Sequence, residues 1–315
     1  MSKRLLIVGA TASSKSQVAI DFALENKPTE IISLDSMQIY EGMSIGTGAL
    51  NTKEMNGIIH HMISIVRPTE TFSVQVFKNK VDEIITTNKE MNFVLVGGTG
   101  LYTHAVVDDF NFAPSEQKVR DEIALKFNLD EKNPDPISLG KAYEYLQEID
   151  NDAAEKIDPK NVRRILRAIE AIEISGEKFS YIGDGVQAFS NNVYDLTMVG
   201  LRYSRENLRT RIFKRIENMF DLGWVDEVKT LLPLWDDISP IAKQAIGYKE
   251  IYGWIVQGEN QSELINVKES ILNKTYQFSV RQRKWFERDP RITWIDCDDL
   301  QHHEILDKVS NIALW

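Results

Sequence analysis

The sequence contains very little cysteine, since Cys297 is the only one among 315 residues. A single thiol allows no disulfide within the chain, which is typical of proteins that fold in a reducing compartment. Long apolar runs are also missing, and no stretch approaches the roughly 18 residues that indicate a membrane-spanning helix. The apolar run near the start leads directly into a glycine turn, as a buried first strand does, and this argues against a signal peptide. We therefore expect a cytoplasmic protein without membrane contact.

An excess of positive charge is absent as well, because the formal net charge is −10 at pH 7. An acidic chain argues mildly against a polyanionic partner, but its cations are unevenly placed. Groups of Lys and Arg lie within 160–167, 202–215 and 281–291. Each group alone is as consistent with a solvated helix face as with a binding site. Three such groups together favour local anion binding.

Apolar periodicity predicts alternating strands and helices over much of the chain. Compact runs rich in β-branched residues predict buried parallel strands at 5–8, 30–34, 93–97, 195–201 and 292–295. Helical spacing predicts helices at 15–25, 73–89, 161–176, 204–222, 224–232, 240–257 and 262–287. Strands that alternate with helices are typical of a parallel sheet with right-handed crossovers.

The pattern of apolar residues and prolines changes between 113 and 192. Strand signals disappear there, and prolines separate short, charged helical pieces. An amphipathic helix at 161–176 ends at Gly176, a residue type that commonly closes helices. We predict an α/β fold, in which 1–112 and 193–315 form a P-loop-type parallel sheet with flanking helices. Residues 113–192 are predicted to form a helical insertion domain.

The segment Gly9–Ser16, "GATASSKS", resembles a phosphate-binding loop that lacks one glycine. The usual pattern is G-x-x-x-x-G-K-[ST], and Ser14 stands in place of the second glycine. Backbone N–H groups and Lys15 would hold phosphate oxygens, and the Ser16 hydroxyl would suit Mg²⁺. A turn of small residues before a helix is the plainer reading. The candidate diphosphate-binding residues of this loop are Gly9, Ala10, Thr11, Ala12, Ser13, Ser14, Lys15 and Ser16.

Two further predicted strands end in polar residues. Asp35 follows the second strand in "SLDSMQIY", and Thr99 follows the third in "VGGTGLY". Alone, Asp35 is equally consistent with a helix cap, and the glycine-rich segment with a tight turn. The carboxyl ends of parallel strands meet at one edge of a sheet, where α/β folds bind ligands. We therefore expect Lys15, Asp35 and Thr99 to face one crevice.

The chain resembles the tRNA dimethylallyltransferase family, also called tRNA isopentenyltransferases, over nearly its whole length. The matching segments, in the family's order, are "GATASSKS", "IISLDSMQIYEGMSIGT", "HHMI", "FSV", "VGGTGLY", "RRILRAIE", "QAIGYKE" and "RQRKWF". The resemblance implies transfer of the five-carbon group of dimethylallyl diphosphate to N6 of adenine 37, beside the anticodon. It also implies that the substrates are tRNAs that read codons beginning with U.

The chemistry of this transfer assigns roles to several residues. An adenine amine is a weak nucleophile, so a general base is useful, and Asp35 is the candidate, with Thr99 holding the amine or the carboxylate. Arg211 or Arg215 would add a guanidinium clamp on the diphosphate, together with Mg²⁺. By resemblance, the anticodon stem-loop of the tRNA contacts Asp35, Ser36, Met37, Gln38, Thr99, Arg120, Arg163, Arg164, Arg167, Gln244, Gly247 and Tyr248. We expect the enzyme to be a monomer.

Three positions depart from the family's pattern. Ser14 replaces the loop glycine, Ala49 stands where lysine is usual, and Tyr276 stands where arginine is common. Each departure concerns diphosphate or RNA affinity and leaves the reaction type unchanged. We expect a working but suboptimal diphosphate site, in which Ser14→Gly tightens binding or leaves it unchanged. The pair His60-His61 is also a family feature, for which we expect structural hydrogen bonds and no metal.

Three other functions remain open from the sequence. A small-nucleotide kinase or NTPase would share the phosphate loop, but it does not account for "GGTGLY". An adenylate isopentenyltransferase would modify free AMP, whereas the helical insertion and "RQRKWF" favour an RNA substrate. A non-catalytic RNA-binding protein is suggested by the three departures, although Lys15, Asp35 and Thr99 are all present.

Overall fold

The computed structural model describes residues 2–110, 112–131, 133–182, 189 and 191–315. The chain divides into two compact units. One comprises Met1–Asp109 with Phe189–Trp315 and is called the sheet unit below. The other comprises Phe110–Ala188 and is called the helical unit. The sequence placed the limits of the second unit at 113 and 192.

A six-stranded parallel sheet forms the centre of the sheet unit, in the order β3-β2-β4-β1-β5-β6. The strands are β1 (Arg4–Gly9), β2 (Thr29–Ser33), β3 (His60–His61), β4 (Asn92–Gly97), β5 (Thr197–Arg202) and β6 (Thr293–Asp296). The five predicted strands are confirmed. The two-residue β3 was missed, because so short an edge strand carries no periodic signal.

The α-helices follow the strands in alternation and then dominate the second half of the chain. They are α1 (Lys15–Glu25), α2 (Ser44–Thr47), α3 (Val74–Thr87), α4 (Gly100–Val107), α5 (Gln117–Lys126), α6 (Pro136–Ile149), α7 (Asn151–Lys156), α8 (Val162–Ser175), α9 (Phe179–Ile182), α10 (Arg205–Asp221), α11 (Trp224–Leu231), α12 (Tyr248–Val256), α13 (Leu264–Phe286) and α14 (His302–Ala313). Within the described part of the chain, no helix is long and apolar enough to cross a membrane.

One predicted helix is divided in the structure. The sequence predicted a single helix at 240–257, but a short 3₁₀ helix occupies Ala242–Gln244 and α12 begins at Tyr248. Gly247 lies between them with a φ of 99°, which no right-handed helix contains. The prediction was wrong because the helical spacing of apolar residues continues across Gly247, whose backbone conformation interrupts the helix.

The sheet places three loops at one edge because its central strands share their direction and register. Leu6 of β1 lies opposite Leu95 of β4 and Met198 of β5, and all three are buried. Continuous apolar runs of this kind stabilise strands that are covered on both faces. The segments after β1, β2 and β4 therefore leave the sheet side by side.

The helical unit has a core of its own. Along α8, Ile165, Leu166 and Ile169 are completely buried. The helix begins after Asn161, whose side chain accepts a hydrogen bond from the Arg164 N–H over 3.2 Å. It ends at Gly176, whose φ of 72° gives the predicted left-handed cap. The described residues of this unit contain no strand, as the sequence predicted.

Candidate active site

The phosphate loop connects β1 to α1 in a conformation that usually requires glycine. At Gly9 a side chain has no room, because a Cβ would lie 2.9 Å from the Leu201 backbone carbonyl oxygen and 2.7 Å from the Ser13 Oγ. Ala12 and Ser14 have φ values of 62° and 60°, in the left-handed region. Such angles cost a residue with a Cβ about 1–2 kcal/mol. The loop therefore adopts the glycine-type conformation although Ser14 replaces the glycine.

A cavity of about 390 Å³ lies at the carboxyl ends of the strands, where the sequence predicted the site. Its lining includes Lys15 and Ser16 from the loop after β1, Asp35 from the segment after β2, and Thr99 from the segment after β4. Cavities of about 300–1,000 Å³ are typical of small-molecule sites. The structure thus brings together the candidate residues of three separate sequence motifs.

The cationic side of this cavity is poorly neutralised. Burial and, to a smaller extent, the nearby Arg215 guanidinium lower the pKa of Lys15 to about 8, against the opposing attraction of Asp35. Burial also lowers the pKa of Arg215 below its ordinary value, again opposed by Asp35. The Lys15 Nζ donates to the Ala10 carbonyl oxygen over 3.2 Å. Arg281 lines the cavity as well, so three cations face one carboxylate among the described lining residues, and this favours an anionic ligand.

Asp35 and Thr99 are held by the short segment that follows Asp35. The Asp35 Oδ1 accepts a hydrogen bond from the Met37 N–H over 2.8 Å. The Thr99 Oγ1 accepts one from the Ser36 N–H over 3.3 Å and lies 3.4 Å from the Ser36 Oγ. A carboxylate and a hydroxyl are thereby fixed on one side of the cavity. This arrangement suits removal of a proton from a bound amine.

The two candidate arginines of α10 occupy different places. Arg215 lines the cavity and donates to the Thr47 carbonyl oxygen over 3.3 Å. Arg211 is absent from the described lining of the cavity, and its Nε donates instead to the Ala12 carbonyl oxygen over 2.8 Å. The sequence could not separate them, since both fall on one face of the same helix.

Gln38 lies in the cavity wall with its side-chain amide already oriented. Its Oε1 accepts from the Ser33 hydroxyl over 2.8 Å, and its Nε2 donates to the Gly48 carbonyl oxygen over 3.1 Å. An amide has two N–H groups, so one remains for a ligand. The neighbouring Ser36 and Met37 also line the cavity.

The three candidates of "QAIGYKE" separate in the structure. Gln244 lines the cavity, whereas Tyr248 is completely buried and its hydroxyl donates to Glu227 over 2.7 Å. Gly247 packs against Trp224, where a Cβ would lie 2.1 Å from the ring. Tyr248 and Gly247 therefore shape the wall of the cavity from behind, because Trp224 itself lines it.

In the helical unit, two candidate arginines are engaged by a buried acid. Glu170 is completely buried, and its Oε2 lies 3.1 Å from Arg120 and 3.2 Å from Arg167. Arg167 also donates to the carbonyl oxygen of Pro114 over 2.5 Å. By contrast, the side chains of Arg163 and Arg164 are exposed on α8. The guanidinium groups of Arg120 and Arg167 thus help to hold the unit together.

Sequence reasoning missed the buried Gln282 of α13, which joins two of the loops. Its Oε1 accepts from the Thr11 N–H and its Nε2 donates to the Gly98 carbonyl oxygen, each over 2.8 Å. The Thr11 N–H of the phosphate loop is therefore occupied by a side chain. Gln282 stands within "RQRKWF", but no spacing rule connects that segment with loops so distant in sequence. Apolar lining was missed as well, from Ile216, Met219, Trp224, Ile246 and Phe278.

His60 and His61 make the structural hydrogen bonds that were expected of them. The His60 Nδ1 lies 2.9 Å from the Ile58 carbonyl oxygen, and burial lowers the pKa of His60. The His61 Nε2 lies 2.7 Å from the Glu30 carboxylate. Among the residues that the structure describes, no group of three or more His, Cys, Asp or Glu side chains could hold a metal ion.

Known sequences resemble this chain over nearly its whole length. The family model described as IPP transferase matches residues 38–289. A tRNA dimethylallyltransferase of Syntrophomonas wolfei is 37% identical, across 100% of this chain and 97% of the relative. Another, of Finegoldia magna, is 36% identical, across 99% of this chain and 98% of the relative.

Solved structures are similar along the chain as well. A tRNA delta(2)-isopentenylpyrophosphate transferase from Staphylococcus epidermidis is 32% identical, with a TM-score of 0.67, over 99% of this chain and 98% of that one. A eukaryotic dimethylallyltransferase acting on tRNA is 25% identical, with a TM-score of 0.77, over 95% of this chain and 75% of that one. The family match covers well over half of the sequence. This chain therefore belongs to the IPP transferase family.

Proposed function

We propose that this enzyme transfers the dimethylallyl group from dimethylallyl diphosphate to N6 of adenine 37, in tRNAs that read codons beginning with U. The observation that carries the proposal is the single cavity shared by Lys15, Ser16, Asp35 and Thr99. The full-length relatives named tRNA dimethylallyltransferase support it over both a nucleotide kinase and an enzyme acting on free AMP.

Asp35 is the proposed general base. As the bond between N6 and the allylic carbon forms, the carbon–oxygen bond to the diphosphate breaks, and the N6 proton passes to the Asp35 carboxylate. The Met37 N–H holds the Oδ1 of that carboxylate, and Thr99, which lines the same cavity, is proposed to hold the amine. A positioned general base contributes about 10²–10⁴-fold to such a step.

Lys15 and Arg215 are the proposed partners of the diphosphate, together with N–H groups at the start of α1. The Ser16 hydroxyl oxygen lines the same cavity and is the proposed ligand of Mg²⁺, which prefers oxygen donors. Mg²⁺ is usually held by one or two side chains plus substrate phosphates, which this small donor set fits. When bound, Mg²⁺ would neutralise charge on the leaving diphosphate.

The adenine must leave its stack to reach such a cavity. We propose that Ser36, Met37, Gln38 and Gln244, which line the cavity, contact the extruded base. The exposed Arg163 and Arg164 of the helical unit are the proposed phosphate contacts to the anticodon stem-loop. A monomer in the cytoplasm stays our prediction.

The test of this function is transfer of label from dimethylallyl diphosphate, with Mg²⁺, to unmodified tRNA. We expect labelled N6-isopentenyladenosine at position 37 of tRNAs that read U-initial codons, and no transfer to free AMP. Efficient labelling of AMP, or transfer of phosphate from ATP to a nucleotide in place of prenylation, would overturn the proposal.

A further inference from the structure

One side chain contacts both left-handed residues of the phosphate loop. The Arg211 Nε donates to the Ala12 carbonyl oxygen over 2.8 Å, and its Nη2 donates to the Ser14 Oγ. The guanidinium also lies over the Tyr203 ring, 4.4 Å from its centroid. Arg211 is thus fixed by a ring on one side and by the loop on the other.

The Ser14 hydroxyl faces Arg211 and leaves the helix uncapped. Ser14 immediately precedes α1, where a serine side chain commonly accepts a hydrogen bond from the helix, but it makes no such bond here. Hydrogen bonds from a guanidinium are stronger than neutral ones, and their planar fork fixes direction. The residue that replaces glycine therefore supplies the acceptor that a glycine lacks.

We propose that Arg211 and Ser14 form a clamp that holds the phosphate loop in its diphosphate-binding conformation. Arg211 is then a positioning residue, and the positive charge facing the ligand belongs to Lys15, Arg215 and Arg281, which line the cavity. The clamp rests on the proposed function for the identity of its ligand. It also reverses the expectation from the sequence, since Ser14→Gly would remove a useful contact.

The first experiment separates a clamp from a charged ligand. Arg211→Lys keeps the positive charge but cannot make both directed hydrogen bonds. Affinity for dimethylallyl diphosphate and for inorganic diphosphate, each with Mg²⁺, is measured by calorimetry on the full chain. A clamp predicts about tenfold weaker binding of both, as for one lost hydrogen bond to a charged group. Affinity within twofold of wild type would mean that charge alone suffices and would overturn the clamp.

The second experiment tests whether the two residues act together. Ser14→Ala keeps the Cβ but removes the acceptor, and we expect about tenfold weaker binding of both ligands. In the Ser14→Ala/Arg211→Lys double variant, the loss should stay close to that of either single variant. Fully additive losses would show independent roles and overturn the proposal. Should Ser14→Ala fail to fold, Ser14→Gly, which relieves the left-handed strain, replaces it; tighter binding by that variant overturns the clamp.

The chain offers a matched control at the opposite ends of the strands. Arg4 donates to the Tyr194 carbonyl oxygen over 3.1 Å and to the Ser2 hydroxyl over 3.3 Å, and it lies 5.9 Å from the Tyr194 ring centroid. Arg4→Lys should lower the melting temperature without weakening diphosphate binding. If Arg4→Lys weakened diphosphate binding as much as the clamp variants do, the losses in those variants would reflect reduced stability and not loss of the clamp. Failure of label transfer to tRNA by the wild type would count against the proposed function, whereas diphosphate affinity tests the clamp separately.

Discussion

The sheet unit and the helical unit place their half-buried cations in opposite surroundings. In the sheet unit, Lys15 and Arg215 line a cavity with Asp35 as their opposing charge, and burial lowers the pKa of both. In the helical unit, Arg120 and Arg167 both contact the fully buried Glu170. Cations that outnumber their acids favour an anionic ligand, whereas cations around a buried acid hold the fold together.

This difference shows that basic residues with similar expected roles can be of two kinds: some face a ligand, and others pair with a buried acid and stabilise the fold. From the sequence, Arg120 and Arg167 were expected to contact tRNA by resemblance to the family, and Arg215 to hold the diphosphate, so all three were expected to bind an anionic ligand. Only the position of a buried carboxylate in three dimensions distinguishes them. The predictions below remove one member of each set and ask whether chemistry or stability responds.

The largest effect is expected at Asp35, the one acid among the described residues that line the cavity. Asp35→Asn keeps the shape of the side chain and the hydrogen bond from the Met37 N–H, but it removes the proton acceptor. We expect single-turnover prenylation of tRNA to fall by about 10²–10⁴-fold, with tRNA affinity unchanged. A rate within threefold of wild type, measured with both substrates saturating, would remove Asp35 from the role of base.

The corresponding change in the helical unit should affect stability alone. Glu170→Gln leaves Arg120 and Arg167 without their buried countercharge, and we expect the free energy of unfolding to fall by about 3 kcal/mol. Affinity for dimethylallyl diphosphate should not change, because every described lining residue of the cavity belongs to the sheet unit. Urea denaturation and calorimetry measure the two quantities.

A partly exposed ion pair of the same unit provides the control for Glu170. Glu173 lies 3.3 Å from Lys126, and both side chains are well exposed to solvent. Glu173→Gln should change the free energy of unfolding by less than about 1 kcal/mol, as is usual for surface pairs. Equal losses from the two variants would show that burial of Glu170 is not what matters.

The pH dependence of diphosphate binding tests the cavity cations without mutation. The pKa of Lys15 is lowered to about 8 in the free protein, and a bound diphosphate would raise it again. Affinity should therefore be constant below that pH and fall above it, by at most about tenfold per pH unit. Phosphate groups are already ionised there, since their second pKa is about 6. In Lys15→Met the decline should disappear, and a decline that persists would assign it to another group.

Much of the fold followed from the sequence because it depends on local and periodic signals. The buried runs of β1 and β4 and the length of α1 are set by apolar spacing and by adjacent turns. The C-terminal α14 was missed, and the division before α12 depends on one glycine, Gly247. These errors occur where a single residue or a short element decides the structure.

The site residues that directly follow strand ends could be predicted from the sequence. Those contributed by helices distant in sequence could not. Lys15, Asp35 and Thr99 could be placed together because parallel strands end at one edge. Gln282 and Arg211 reach the phosphate loop from α13 and α10, and no spacing rule predicts which side chains of those helices do so. The hydrogen bonds of these two residues to the loop appear only in the folded chain.

The smallest effect is expected at the exposed face of α8, where two arginines of the helical unit can be compared with each other. Arg163 is exposed on α8. Arg167, on the same helix, forms an ion pair with Glu170, three residues further along. If Arg163 contacts a tRNA phosphate, Arg163→Ala should reduce the slope of log affinity against log salt by somewhat under one unit, through counterion release. Arg167→Ala should instead lower the melting temperature. The measurement is a titration of unmodified tRNA at several salt concentrations with both variants and wild type. A salt slope for Arg163→Ala equal to that of wild type would exclude the contact. A reduced slope for Arg167→Ala, together with a lower melting temperature for Arg163→Ala, would place the tRNA-facing charge at Arg167.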